Sequence, residues 1–234
     1  MKLELIQKLS ALSKQSYNQI AADFDASRKK YLWPEMLEFA SNIKNGAKVL
    51  DAGCGNGRLL EAFRDKTIDY LGIDNSAALL NLAKANYPNY NFQELDLSAA
   101  NFSDVNFLAG QKFDFIFCIA VLQHIPSRDL RVQLLKNFKT LLVPGGQLII
   151  SNWNLWASPK RSLLFKQALK KIIGLNKLDF GDIIFPWKNS AGEEVSERYY
   201  HAFYKRELKH LAHKAGFKKI VIKKDSRNYW LILE

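Results

Sequence analysis

Val49-Leu50-Asp51-Ala52-Gly53-Cys54-Gly55-Asn56-Gly57 decides the fold. An apolar run that breaks into alternating glycines, just ahead of a helix-like stretch at Leu59–Arg64, reads as a buried strand turning into a helix. Glycines in such a turn permit positive φ and let a ligand approach the backbone with no Cβ in the way. A Gly-x-Gly-x-Gly turn alone is weak evidence, and its context strengthens it. Asp74 closes the next strand-like run, 23 residues after Asp51. A carboxylate there can accept hydrogen bonds from both hydroxyls of a ribose.

Outward from this turn, strand-like runs recur at Tyr70–Asp74, Tyr90–Asp96, Phe113–Val121 and Gly146–Ser151. Helical stretches at Ser76–Ala85 and Arg128–Leu142 lie between them. Strands alternating with helices imply a parallel sheet covered on both faces. Upstream, residues 1–44 read as three helical segments: an amphipathic first, a second around Tyr17–Phe24, and a third opening at Trp33-Pro34. Proline suits a first helical turn, where its missing N–H would be unpaired anyway. Downstream, residues 152–200 break the rhythm with Trp, Pro and Gly and read as an insertion. A helix at Lys205–Ala215, stopped by Gly216, precedes strands at Phe217–Lys223 and Tyr229–Leu233, joined through Asp225–Asn228. The expected organisation is one domain: a helical cap (1–45), a core (46–151), a substrate-side insertion (152–204), and a final helix and strand pair (205–234).

Composition narrows the class. With 234 residues and 48% apolar side chains the chain can bury a sizeable core, and 12% aromatic residues exclude a disordered one. The longest near-continuous apolar run, Phe113–Leu122, contains Asp114 and is far too short to span a bilayer. The N-terminus lacks the apolar stretch and cleavage site of a signal peptide, so a cytoplasmic protein without membrane partners is expected. Two cysteines, with no Cys-x-x-Cys and no nearby histidine pair, point away from a metal site and from disulfides. Residues 1–156 carry 17 basic and 15 acidic side chains, net +2, and residues 157–234 carry 17 and 8, net +9. The charge is concentrated in the last third, as either a partner surface or a solvated lysine-rich face.

Asp51 opens the glycine loop, Asp74 is followed by Asn75-Ser76, and Glu94-Leu95-Asp96 ends the third strand. Asp51 would repel a pyrophosphate and attract an ammonium or sulfonium. The set resembles the class I S-adenosylmethionine-dependent methyltransferases. That resemblance implies a Rossmann-like seven-stranded sheet and S-adenosylmethionine as cofactor. It further implies that the loop (Asp51, Gly53, Gly55, Asn56) holds the methionine part, Asp74 with Asn75 the ribose, and Asp96 the adenine amino group. His124 follows the fourth strand, where ligand sites of open α/β sheets lie. It would either face the transferred methyl or hydrogen-bond a neighbouring loop.

A narrower resemblance rests on both ends of the chain: Tyr17, Ile20-Ala21, Phe24, Ser27-Arg28 and Trp33-Pro34; then Trp153, Phe185-Pro186-Trp187-Lys188, Arg198-Tyr199-Tyr200-His201-Ala202-Phe203, Glu207-Leu208, Ala215-Gly216-Phe217, Asp225 and Asn228-Tyr229. These blocks are similar to those of the tRNA wobble-uridine 5-carboxymethyl methyltransferases. Departures are Ser27 for threonine, one extra residue between Arg28 and Trp33, Gln123 for a first histidine, and Tyr229 for tryptophan. The resemblance implies an anticodon loop as partner and a carboxymethyl group converted to its methyl ester. For eukaryotic relatives it also implies a small zinc-binding activator subunit. A carboxylate with pKa near ~4 is already ionised at neutral pH, so no general base is needed. The implied catalytic residues are Arg28, His124, Arg198 and Tyr199. Trp33, Trp153, Trp187, His201, Asn228 and Tyr229 would bind the substrate, with Tyr200 and Phe203 in the core. Competing expectations are a small-molecule carboxylate methyltransferase and a non-catalytic RNA-binding protein on the same fold.

Overall fold

The computed structural model describes residues 1–28, 32–98, 105–189 and 191–234. The extra residue between Arg28 and Trp33 therefore lies outside the described residues. Three helices open the chain: α1 (Leu3–Gln19), α2 (Ala21–Arg28) and α3 (Pro34–Ser41). Strands β1 (Lys48–Ala52), β2 (Asp69–Asp74), β3 (Asn91–Glu94), β4 (Phe113–Ile119) and β5 (Leu142–Trp153) follow, with helices α4 (Ala77–Asn86) and α5 (Arg128–Leu141) among the crossovers. Next come α6 (Arg161–Ile172), an antiparallel pair β6 (Asp182–Lys188) and β7 (Glu194–His201), and α7 (Lys205–Lys214). The last strands are β8 (Ile220–Lys224) and β9 (Asn228–Leu233).

The main sheet has seven strands in the order β3-β2-β1-β4-β5-β9-β8, the Rossmann-like arrangement expected. Pairs from β3 through β5 are parallel, and β9 runs antiparallel between β5 and β8. Strand alternation sorts the core into two faces. Leu50, Ile116, Cys118, Leu148, Ile150, Leu231 and Leu233 meet α5 and α7. Val49, Phe117, Ile149 and Trp230 meet α3 and α4. On α7, Leu208, Leu211 and Ala212 are buried at i, i+3 and i+4 while Lys205, Arg206 and Lys209 stay in solvent. Ser76 and Ser127 cap α4 and α5 by accepting from Leu79 N–H and Leu130 N–H.

The structure departs from the sequence reading in several places. The expected second helix around Tyr17–Phe24 is divided: α1 runs through Tyr17 to Gln19 and α2 opens at Ala21. The stretch after the glycine loop is a 3₁₀ helix, Arg58–Phe63. β5 begins at Leu142, ahead of the expected Gly146, because Leu142 pairs with Phe113 and the intervening Pro-Gly-Gly forms a bulge. The insertion expected over residues 152–200 has regular structure of its own, α6 and the β6–β7 hairpin, over a small core of Leu164, Ile183, Phe185, Tyr200 and Ala202. The cap touches that hairpin: Ser16 and Ser196 hydroxyls lie 2.7 Å apart, and Gln19 donates to the Val195 carbonyl at 3.0 Å. Among the described residues, no helix is long and apolar enough to cross a membrane.

Candidate active site

The carboxyl ends of β1, β2, β4 and β5 and the chain just past β3 open into one cavity, roofed by α1, α2 and β7. At one end the wall is mostly backbone and carboxylate. Gly53 and Gly55 turn with φ of +81° and +55°, and a Cβ on Gly53 would collide with Val121. The Asp74 carboxylate accepts from Gly55 N–H at 2.8 Å and Ser76 N–H at 2.9 Å, which fixes the loop against β2. Burial pushes the Asp74 carboxyl up, and these backbone N–H groups pull it back. Asn18 of α1 accepts from the Ser76 hydroxyl and Ala78 N–H, tying the cap to the same corner. Asp96 faces the cavity beyond β3, one oxygen held by Ser98. Two carboxylates beside bared glycine backbone suit a cationic, ribose-bearing ligand, the kind of group implied by the class I resemblance.

The other end is built of side chains from distant parts of the chain. Arg198 of β7 is 3% exposed, its guanidinium 4.6 Å from the Trp187 ring centroid and 5.4 Å from that of Tyr17. Its Nη1 donates to the Tyr17 hydroxyl at 3.3 Å, and that hydroxyl lies 3.1 Å from His124 Nε2. His124 Nδ1 lies 2.9 Å from the Tyr199 carbonyl. A carbonyl only accepts, so Nδ1 carries the proton, Nε2 accepts from Tyr17, and Tyr17 accepts from Arg198. Burial and the nearby Arg198 charge lower the His124 pKa to about 3, so the ring is neutral. Arg28 reaches the cavity from α2, 5.4 Å over the Phe24 ring. Trp33, which carries the Arg58 guanidinium over its ring, and Trp153 complete the wall.

Of the residues singled out from sequence, Arg28, Trp33, Gly53, Gly55, Asp74, Asn75, Asp96, His124, Trp153 and Arg198 line this cavity. Seven do not. Asp51 is buried beneath the loop and accepts from the Tyr70 hydroxyl at 2.8 Å; burial raises its pKa to about 7. Asn56 donates to Asp25 at 2.9 Å and so braces α2 against the loop. Trp187 lies behind Arg198 as a stacking surface. Tyr199 and His201 are turned away by strand alternation: Arg198 and Tyr200 take the cavity side and the odd-numbered pair the opposite one. There the Tyr199 hydroxyl donates to Asp182 at 2.7 Å and accepts from Arg131 at 2.9 Å. His201 spans Asp182 at 2.6 Å and Glu207 at 2.8 Å, leaving no ring nitrogen for a substrate. Tyr229 packs in the α5–α7 core, and Asn228 is buried opposite Trp153 in the β5–β9 ladder.

Sequence reasoning missed Ser10, Ser13 and Arg58 on the wall and left Tyr17 as a signature residue without a role. The signal was available on α1: Ser10, Ser13 and Tyr17 fall at i, i+3 and i+7, one helical face. Ala120, with φ of +57° where β4 meets the cavity, was not legible at all.

Comparison with known proteins agrees with this geometry. Residues 24–221 match the family described as Methyltransferase domain. The chain belongs to that family. Its fold is that of the class I S-adenosylmethionine-dependent enzymes: a Methanosarcina mazei structure described as a SAM-dependent methyltransferase superposes with a TM-score of 0.63 at 20% identity, covering 86% of this chain and 96% of that one. A tRNA (carboxymethyluridine(34)-5-O)-methyltransferase of Saccharomyces cerevisiae is 34% identical over 59% of this methyltransferase and 47% of its own length. The chain thus spans about half of that relative. The protein of the same name from Schizosaccharomyces pombe is 26% identical over 94% of both chains. A ubiquinone biosynthesis O-methyltransferase of Coxiella burnetii is 32% identical over 63% of each.

Proposed function

We propose that this methyltransferase esterifies the carboxymethyl group of a wobble uridine in tRNA. Asp74, Asn75, Asp96 and the backbone at Gly53 and Gly55 would hold S-adenosylmethionine. When bound, that cofactor supplies an electrophilic methyl on a sulfonium. Arg28 and Arg198 would grip the acceptor carboxylate, and Trp153 and Trp33 would flank the uracil. The observation that carries this reading is the buried Arg198 guanidinium on the wall of the same cavity as Asp74 and Asp96. A buried guanidinium strongly favours an anion that can take its fork of donors.

His124 supports a carboxylate over a phenol. A phenol must lose a proton near pKa ~10, and a base is most effective when its own pKa lies near the working pH. An imidazole at about 3 is a poor base. It serves instead as the acceptor that fixes Tyr17, which in turn orients Arg198. The carboxylate needs no base. The residues then act by aligning the anion and excluding water from a site roofed by α1, α2 and β7.

Incubation of undermodified tRNA and of a catechol-type quinone precursor with methyl-labelled cofactor tests the assignment. Label should enter tRNA and be released as methanol by mild alkali, as an ester requires. Alkali-stable label on the phenol, with none in RNA, would replace the proposal with the phenol reading.

A further inference from the structure

Three residues beyond the cavity residue Trp153, which shares a small core with Trp156, three aromatic rings lie together. Trp156 sits in the 3₁₀ turn Leu155–Ala157 that directly follows β5 and the cavity residue Trp153. It stacks on Tyr204 at 4.5 Å and 21°, and meets the Phe165 edge at 5.9 Å and 71°. Its indole N–H donates to the Ala202 carbonyl at 3.2 Å, which locks the ring. Core packing does not account for the cluster, because Tyr204 is 53% and Phe165 60% exposed. Lys160, Arg161, Lys205 and Arg206 flank these rings in the sequence and are all exposed, and among the described residues none forms an ion pair with a carboxylate. The nearby acid, Glu207, turns inward to His201 and Arg131. Lys160 also caps a pile of rings that begins in the cavity wall: Trp153 on Tyr200 at 5.2 Å, Tyr200 on Phe185 at 4.4 Å, and the ammonium 4.5 Å from the Phe185 centroid.

We infer that Trp156, Tyr204 and Phe165 form a stacking platform for an unpaired RNA base neighbouring the nucleotide held in the cavity, with Lys160, Lys205 and Arg206 on the adjoining phosphates. Unpaired loops are recognised by stacking on aromatics within a basic surface. Both halves of that requirement meet here, in the part of the chain that carries the charge excess. The cationic rim favours a polyanion over a second copy of this chain, whose net charge is also +11. The inference rests on the tRNA reading and adds to it a surface outside the cavity.

The test is fluorescence anisotropy with a labelled anticodon stem-loop RNA, with calorimetric S-adenosylmethionine binding as the control for folding. Tyr204→Ala should weaken RNA binding about tenfold, and Tyr204→Trp, which keeps a ring, should restore it. The double variant Lys205→Glu/Arg206→Glu should flatten the slope of log affinity against log salt by about 1.4, the loss of two phosphate contacts. Cofactor affinity should stay within about twofold of wild type throughout. If the wild type binds the RNA and all three variants bind it equally, the platform is wrong while the tRNA reading stands; a protein-docking face would give that result. If the wild type does not bind the RNA, the tRNA reading fails and takes the platform with it.

Discussion

The two ends of the cavity are built on different principles. The Gly53–Asp74–Asp96 end comes from loops that follow β1, β2 and β3, so residues close in sequence meet there through a regular sheet. The Tyr17–His124–Arg198 end joins residues 107 and 181 positions apart through side chains on three separate elements. The first end is rigid because glycine φ values and backbone hydrogen bonds set it. The second holds its shape only while α1 and the β6–β7 hairpin remain docked. Damage to one end should therefore spare the function of the other.

Arg198→Ala is the sharpest way to break that division. Removing a buried charged donor should cost about 100-fold or more in methyl transfer, with cofactor affinity near wild type by calorimetry. An equal fall in both would mean the two ends are one cooperative unit. Gly53→Ala attacks the other end. The positive φ and the collision with Val121 should together cost about 3 kcal/mol, read by urea unfolding, and weaken cofactor binding first. Tyr17→Phe removes the hydroxyl between Arg198 and His124. It should lower kcat about tenfold with little change in cofactor affinity.

The smallest effect is on pH dependence. Because His124 stays neutral down to about 3, transfer to a carboxylate should show no limb near pH 6.5. Between about 3 and 6.5 the unfolded chain binds a proton that the native ring refuses, so this group makes stability fall on acidification. Asp51 acts oppositely. With a native pKa of about 7, it keeps a proton that the unfolded carboxyl loses above 3.8, so its contribution falls as pH rises between those values. Asp51→Asn should therefore gain stability relative to wild type as pH rises from about 4 to about 7, measured by urea unfolding at each pH. A constant difference would show that Asp51 is ionised in the native protein throughout.

The same contrast governs what the sequence disclosed. The glycine loop, Asp74 and Asp96 were legible because local turn chemistry and strand ends carry them. Tyr199 and His201 were misplaced because they were grouped with Arg198 at the site and Tyr200 was assigned to the core, although a strand sends alternate residues to opposite faces. Tyr229 failed for the same reason, falling on the face of Leu231. Asp51 was assigned to the cavity by its charge, but its side chain follows Val49 to the α3–α4 side and finds Tyr70. The β6–β7 pair was hidden because its small core is completed by Leu155 and Leu164 from other elements. No local pattern encodes that.

The proposed function puts a donor loop and an arginine-gripped RNA acid in one cavity. Two anticodon stem-loops identical except at the wobble uridine, one bearing a carboxymethyl group and one the corresponding amide, test it most directly. After incubation with deuteromethyl-labelled cofactor and nucleoside mass spectrometry, the acid should be converted to its labelled methyl ester and the amide left untouched. Equal labelling of both, or of neither, would contradict the account.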